Sequence, residues 1–180
     1  MNMKDQPKFP IIETAFQSNQ DLLNEMYNDY FELHDHPEID NKLENTPMTL
    51  ELLDQLHSVF VPAPQGVDTW HAAYAGFNFG YIATELTGIP YNRFPVDDFI
   101  GNKAFMHPRD LPAVIDHEIN AYFETSPTVD HITTSYVQRL SMEPRDKLIA
   151  RTFAGIAFKM AELNLQDTIE NIEPELFNNN

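Results

Sequence analysis

Proline sets the limits on what this chain can fold into. Pro7 and Pro10 precede one long apolar-periodic segment, Pro37 and Pro47 bracket a polar connector, and Pro62 and Pro64 with Gly66 make a second break. Pro90, Pro95, Pro108, Pro112, Pro127 and Pro144 punctuate the remainder. Proline lacks a backbone N–H and holds φ near one value, so each of these residues ends an element, opens a helix or sits in a turn. A chain of 180 residues buries roughly 70% of its unfolded surface, which is enough for one domain without covalent staples. The expected organisation is an N-terminal helical segment over 1–48 (a cap or a dimerisation element), one domain over 49–172 and a frayed tail over 173–180.

Residues 11–33 carry the clearest helical signal. Ile12, Phe16, Asn19, Leu23, Met26, Tyr30 and Leu33 recur at alternating steps of four and three, which is a heptad seam. Ala15, Leu22, Tyr27 and Phe31 widen the stripe. Two readings stay open: the stripe packs on its own domain, or it forms a homodimer seam in which Asn19 fixes the register. A second helix is expected over 49–60, with Leu50, Leu53, Leu56 and Phe60 on one face and Thr49 as its cap.

Beyond Gly66 the pattern changes. Residues 68–74 and 77–83 are rich in aromatics and interrupted by Ala75-Gly76, which predicts two strands meeting in a tight turn. Residues 111–123 predict a helix: Asp110 is placed to cap it, Pro112 fits its first turn, and Val114, Ile115, Ile119, Tyr122 and Phe123 share a face. Residues 129–142 are rich in Thr, Val, Ile and Tyr, and residues 147–158 alternate. Both favour strands, joined as an antiparallel hairpin through Glu143-Pro144-Arg145-Asp146. Residues 160–172 do not choose between strand and helix. Helices followed by paired strands predict an α+β fold with an antiparallel sheet.

Two stretches in the middle of the chain, Tyr81-Ile82-Ala83-Thr84-Glu85-Leu86-Thr87-Gly88-Ile89-Pro90 and Phe105-Met106-His107-Pro108-Arg109-Asp110-Leu111-Pro112, with Phe94-Pro95-Val96-Asp97-Asp98-Phe99 between them, resemble a PAS sensor domain. The similarity is to the sensor portion of LuxR-type transcriptional regulators and covers roughly residues 56–166. It implies a PAS-like antiparallel sheet with the 111–123 helix packed beside it, behind an N-terminal helical extension. It also implies a cavity between sheet and helix, with Trp70, Tyr74, Phe79, Tyr81, Phe105, His117, Ile119, Tyr122, Tyr136 and Phe153 as ligand-pocket candidates. The ordinary alternative is that these side chains fill a core. Some members of the family hold heme through a histidine on the long helix, which His117 matches by position. The family's Lys-Asp-Gly-type hairpin turn is replaced here by Glu143-Pro144-Arg145-Asp146, and no DNA-binding helix-turn-helix is recognisable after the sensor region.

Gly88 and His107 also have plain readings. Gly88 is expected at positive φ after a helical turn, and His107 is expected to buttress the turn before the helix.

The residues themselves offer little chemistry. Cysteine is absent, which excludes disulfides, thiolate metal sites, a cysteine nucleophile and flavin–cysteinyl photochemistry. The histidines His34, His36, His57, His71, His107, His117 and His131 show no metal-ligand spacing, and Glu32, His34, Asp35 and His36 read as a solvated helix end. No serine lies in a Gly-x-Ser-x-Gly elbow. No metal site and no catalytic residue is assigned. Eleven Lys and Arg against 28 Asp and Glu leave a formal charge of −17. Such a field repels nucleic acid and anionic membrane surfaces. No signal-peptide core or membrane span is evident, and a cytoplasmic protein is expected.

The function expected from the sequence is a signal-sensing or protein-interaction module of a bacterial regulatory system. It would bind a small ligand or protein partner and pass the change through its N-terminal helix, as a homodimer. The alternatives are a ligand-free acidic interaction module docking a basic partner, and a metal-dependent enzyme using the histidines.

Overall fold

The computed structural model describes residues 10–21, 67–86, 88, 106–107 and 109–178, with side chains in the last helix described through residue 166. Every element among them is a helix: α1 (Ile11–Ser18), α2 (Val67–Leu86), α3 (Leu111–Glu124), α4 (Pro127–Gln138) and α5 (Pro144–Asn178). The described residues contain no strand, which overturns the antiparallel α+β sheet and with it the PAS-like architecture.

The centre of the fold is the pair α2 and α5. Ala73, Gly76, Gly80 and Ala83 form one stripe of α2, and Ala150, Ala154, Ala157 and Ala161 form one stripe of α5. All four alanines of α5 are fully buried, as are Ala73 and Ala83. A Cβ on Gly76 would overlap the Ala150 carbonyl, and one on Gly80 would lie 2.8 Å from both the Ala154 carbonyl oxygen and the Ala157 Cβ. Because Gly76 meets Ala150 and Gly80 meets Ala154, the two helices run parallel. Small residues let the backbones approach until the main chains themselves touch.

This contact explains why the predicted strands are helical. A helix buried on all sides is apolar all round and loses the 3.6-residue alternation that identifies a surface helix. In α2, Ala72, Ala73, Phe77, Phe79, Tyr81, Ile82 and Ala83 are all buried, so no polar face marks the period. Ala75-Gly76 is no turn; Gly76 is the point of closest approach to α5.

The predicted hairpin over 129–158 is corrected in the same way. Residues 129–138 belong to α4, whose β-branched Val129, Ile132, Thr133 and Val137 are buried against neighbouring helices, and tertiary burial outweighs a strand propensity of about 1 kcal/mol. Pro144 is the first residue of α5, a position that tolerates a missing N–H. The ambiguous residues 160–172 continue α5.

The helix over 111–123 is present as α3, with Pro112 in its first turn and Ile115, Ile119, Tyr122 and Phe123 buried. It packs on α4 and α5 instead of lying in the cradle of a curved sheet. Gly155 receives it: a Cβ there would overlap Ile119 and stand 3.0 Å from the Phe123 ring. Asp110 precedes α3 without a side-chain capping bond. His107 Nδ1 accepts a bond from the Arg109 N–H at 3.2 Å, and its carbonyl accepts one from the Asp110 N–H at 2.9 Å. That is the expected buttress. Gly88 has φ 82° and follows α2, with its N–H donating to the Glu85 carbonyl.

The N-terminal helix is α1 through Ser18. Asn19 leaves helical geometry at φ −129°, and its side chain donates to the Ala15 carbonyl. Residues 22–33 and the expected helix over 49–60 lie outside the described residues. α1 packs on α4 and α5, within the same core that the 49–172 region forms.

The close approach makes a test. Gly76→Ala is expected to lower the unfolding free energy by about 2 kcal/mol or more, since the clash is with backbone and overrides the helix propensity gained. Gly88→Ala, with open space around it, is expected to cost only about 1 kcal/mol of left-handed backbone strain. Denaturant unfolding followed by circular dichroism checks the order; equal losses would contradict the packing described.

Candidate functional site

Besides α3, two of the described helices begin without a side-chain cap of their own. Pro10, the N-cap of α1, has no side-chain acceptor, and Ser126, the N-cap of α4, makes no capping bond. Helix N-termini leave backbone N–H groups unpaired, and both are closed by carboxylates from elsewhere. Glu162 of α5 accepts the Ile11 N–H at 2.7 Å and the Ile12 N–H at 3.0 Å. Glu13 of α1 accepts the Thr128 N–H at 2.7 Å and the Val129 N–H at 3.0 Å, and also the Gln17 amide at 3.2 Å. Both residues are buried. Their charges face the positive ends of helix dipoles and paired N–H donors, the arrangement that makes a buried carboxylate tolerable.

The two clasps form a chain: α5 holds α1, and α1 holds α4. Beside them lies Tyr122, whose hydroxyl is buried without a hydrogen-bond partner, as are Ser126 Oγ and Thr133 Oγ1. Burial pushes the Tyr122 phenol well above its ordinary range, and the Glu162 charge adds to this. The Ser126 hydroxyl is close enough to temper the shift, though it misses hydrogen-bond geometry, and the more distant Glu13 raises it slightly.

Two open clefts reach the surface. The smaller, about 470 Å³, lies between α1, α3 and α5 and is lined by Ile11, Glu118, Tyr122, Thr125, Lys159, Glu162 and their neighbours. The larger, about 600 Å³, lies where α2 and α5 start side by side and is lined by Asp68, His71, Ser141, Met142, Glu143 and Asp146. Asp146 is 8% exposed. Among the described residues, none of the three carboxylates in this cleft has a side-chain hydrogen bond or ion pair. Among the described residues no group of His, Asp and Glu is arranged to hold a metal ion.

The residues expected to line a ligand pocket are placed as follows. Phe79, Tyr136 and Phe153 are fully buried; Phe79 stacks on Tyr136 at 4.2 Å and meets Phe158 edge-on. Tyr81, Ile119 and Tyr122 are buried in the same core, while Trp70 and Tyr74 stack on each other at its edge. Together they fill the space between helices. His117 is exposed on α3 and lines neither cleft, and Phe105 lies outside the described residues. Of the seam residues, Ile12 and Phe16 are fully buried within the chain, Phe16 edge-on to Phe158. Leu23, Met26, Tyr30 and Leu33 lie outside the described residues, as do His34, His36 and His57.

Glu13, Glu162 and Asp146 escape a reading of the sequence alone. The available signals are a lone Glu13 beside Ile12 on the buried face of α1, and a lone Glu162 in the apolar run from Phe153 to Leu165. Comparison with protein-family models, with curated proteins and with solved structures found no match.

Each clasp carboxylate accepts two N–H bonds, and bonds to charged groups contribute about 1.5–3 kcal/mol each. Glu13→Ala and Glu162→Ala are therefore expected to cost about 3–5 kcal/mol in denaturant unfolding, and Glu→Gln roughly half, since an amide keeps one acceptor oxygen. Tyr122→Phe removes an unpartnered hydroxyl and is expected to be neutral or stabilising. The folded chain holds the Tyr122 proton more tightly than the unfolded chain. Stability from this group is thus complete below about pH 10 and falls as pH rises beyond it. Tyr122→Phe is expected to lose less stability than the natural chain between about pH 9.5 and 11.5; identical pH profiles would contradict the burial of this phenol.

Proposed function

We propose that the chain is an acidic helical interaction module whose partner is a basic, arginine- or lysine-rich protein segment. The observation that carries this reading is the fate of the charges. The formal −17 is what remains after all eleven Lys and Arg are counted, and the described cations among them are engaged within the chain. Arg151 pairs with Asp130 at 3.1 Å, donates to Asn120 and lies over the Phe123 ring. Lys147 donates to the Gln138 carbonyl, and Lys159 lies over the Tyr122 ring. Arg139 and Arg145 also have interactions within the chain. Carboxylates such as Asp68, Asp110, Glu124 and Glu143 are left exposed. A field of one sign selects and steers a partner of the other sign.

Sensing through a cavity between a sheet and a helix loses its premise with the sheet. The aromatic side chains proposed to line that cavity stack on one another instead. The two clefts are open and mix polar with apolar lining, which suits side chains presented by another protein. No helix among the described residues is long and apolar enough to cross a membrane.

A hexa-arginine amide peptide titrated into the full chain tests the reading. Binding is expected at about 20 mM salt and is expected to weaken at least about tenfold at about 200 mM, because exposed charges are screened beyond a Debye length. No binding at low salt, or binding indifferent to salt, would remove this function.

A further inference from the structure

We infer that the cleft at the common starting end of α2 and α5 is the anchoring site for one arginine side chain of that basic partner, with Asp146 as its counter-ion. This rests on the function proposed above and names the place where it is exercised.

The parallel pairing of α2 and α5 brings two helix starts together at one end of the molecule. Asp68 stands in the first turn of α2 and Asp146 in the first turn of α5. The dipole of a helix start favours a carboxylate nearby, which accounts for acidic residues there. It does not account for Asp146 being more than nine-tenths buried with no hydrogen bond or ion pair to its carboxylate. Glu13 and Glu162, at comparable burial, each have two N–H donors within 3.0 Å. In the same fold, one class of buried carboxylate is satisfied from inside and this one is left facing a cleft. A carboxylate that opens on a cleft with its acceptor positions free gains charge-assisted hydrogen bonds from an incoming donor.

The form of the cleft selects the donor. Asp68, Glu143 and Asp146 do not converge into a metal-holding group, so a small spherical ion finds no cage. A guanidinium spreads one charge over five N–H donors and bridges acceptors that are spaced apart. Met142 supplies an apolar wall for the methylene stem, and the volume of about 600 Å³ admits such a side chain with water beside it. Of the two cations that flank Asp146 in the chain, Lys147 is turned to the Gln138 carbonyl and Arg145 has interactions of its own within the chain.

The test uses the full chain and the hexa-arginine amide probe, with affinity measured by calorimetry and by the emission of Trp70, the single tryptophan, whose ring contacts His71 of the cleft. Asp146→Asn keeps the shape and removes the charge; it is expected to weaken the probe at least about tenfold. Glu118→Gln, in the other cleft, is expected to change affinity less than about twofold. Ser141→Arg, on an exposed lining residue, places a tethered guanidinium in the cleft and is expected to block the probe while raising the unfolding midpoint. It serves as the deciding variant if Asp146→Asn fails to fold. Unchanged affinity in Asp146→Asn or Ser141→Arg, with the natural chain still binding, overturns the anchoring site and leaves the interaction function standing. Failure of the natural chain to bind removes the function itself. Displacement of the probe by spermidine at equal charge concentration would overturn the assignment to a protein side chain in favour of a free polyamine.

Discussion

The contact of Gly76 and Gly80 with the backbone of α5 is the constraint from which the rest of the fold follows. Once the two main chains touch, nothing larger than hydrogen fits on α2 at those positions, and the helices are locked in parallel register. A parallel pair cannot be joined by a short turn, so the chain must travel back before α5 begins. α3 and α4 lie within that return, and each buries its apolar face on α5. The glycine at 155 repeats the device, letting Ile119 and Phe123 of α3 descend onto the α5 backbone. Among the aromatics, Phe79 and Tyr136 stack ring on ring.

The core is not only apolar. Glu13 and Glu162 are taken out of water at a cost of several kcal/mol per ion, and their attraction to paired N–H donors must offset it. An apolar core of equal volume need be no less stable, so stability alone does not explain why carboxylates stand there. What they add is direction. A carboxylate that closes a specific helix start accepts one placement of that helix and rejects a rotated one, because any other leaves a buried charge unpaired. α1 is only eight residues long, and Ile12 and Phe16 alone would let it slide. Two clasps, one given and one received, fix where it sits.

The helix over 111–124 was legible because it obeys surface-helix rules: a proline in the first turn, a polar residue before it, and apolar residues on one face only. The N-terminal start at Ile11 was legible for the same reason, and so were the roles of Gly88 and His107, which depend on local backbone geometry. α2 was not legible. Burial on every side erases the periodicity that separates helix from strand, and the glycines that permit close packing look like those that make turns. α4 failed for a different reason: Thr128, Val129, Ile132, Thr133 and Val137 carry strand propensity, and only their burial against α1, α3 and α5 overrides it. Pro144 read as a hairpin turn because a proline opening a helix and a proline in a turn are written identically. Several of the aromatic candidates lie together in one core, while His117 is exposed on α3 and Phe105 lies outside the described residues. Whether such residues line a space or fill it depends on interhelical distance, which the order of residues does not carry.

The clefts follow from the same geometry. An antiparallel pair would place one helix start beside one helix end, and the dipoles there would cancel. The parallel pair instead stacks two positive ends, and the chain places Asp68, Glu143 and Asp146 around them. Two partial charges of about half a unit each cannot neutralise three carboxylates. Arg139, Arg145 and Lys147 stand at the same end but are engaged elsewhere within the chain, and among the described residues none of the three carboxylates has an ion pair. The clasps show that this fold can satisfy a buried carboxylate from within when a helix start is aimed at it. At Asp146 no second helix start is aimed, and its carboxylate opens on the cleft instead.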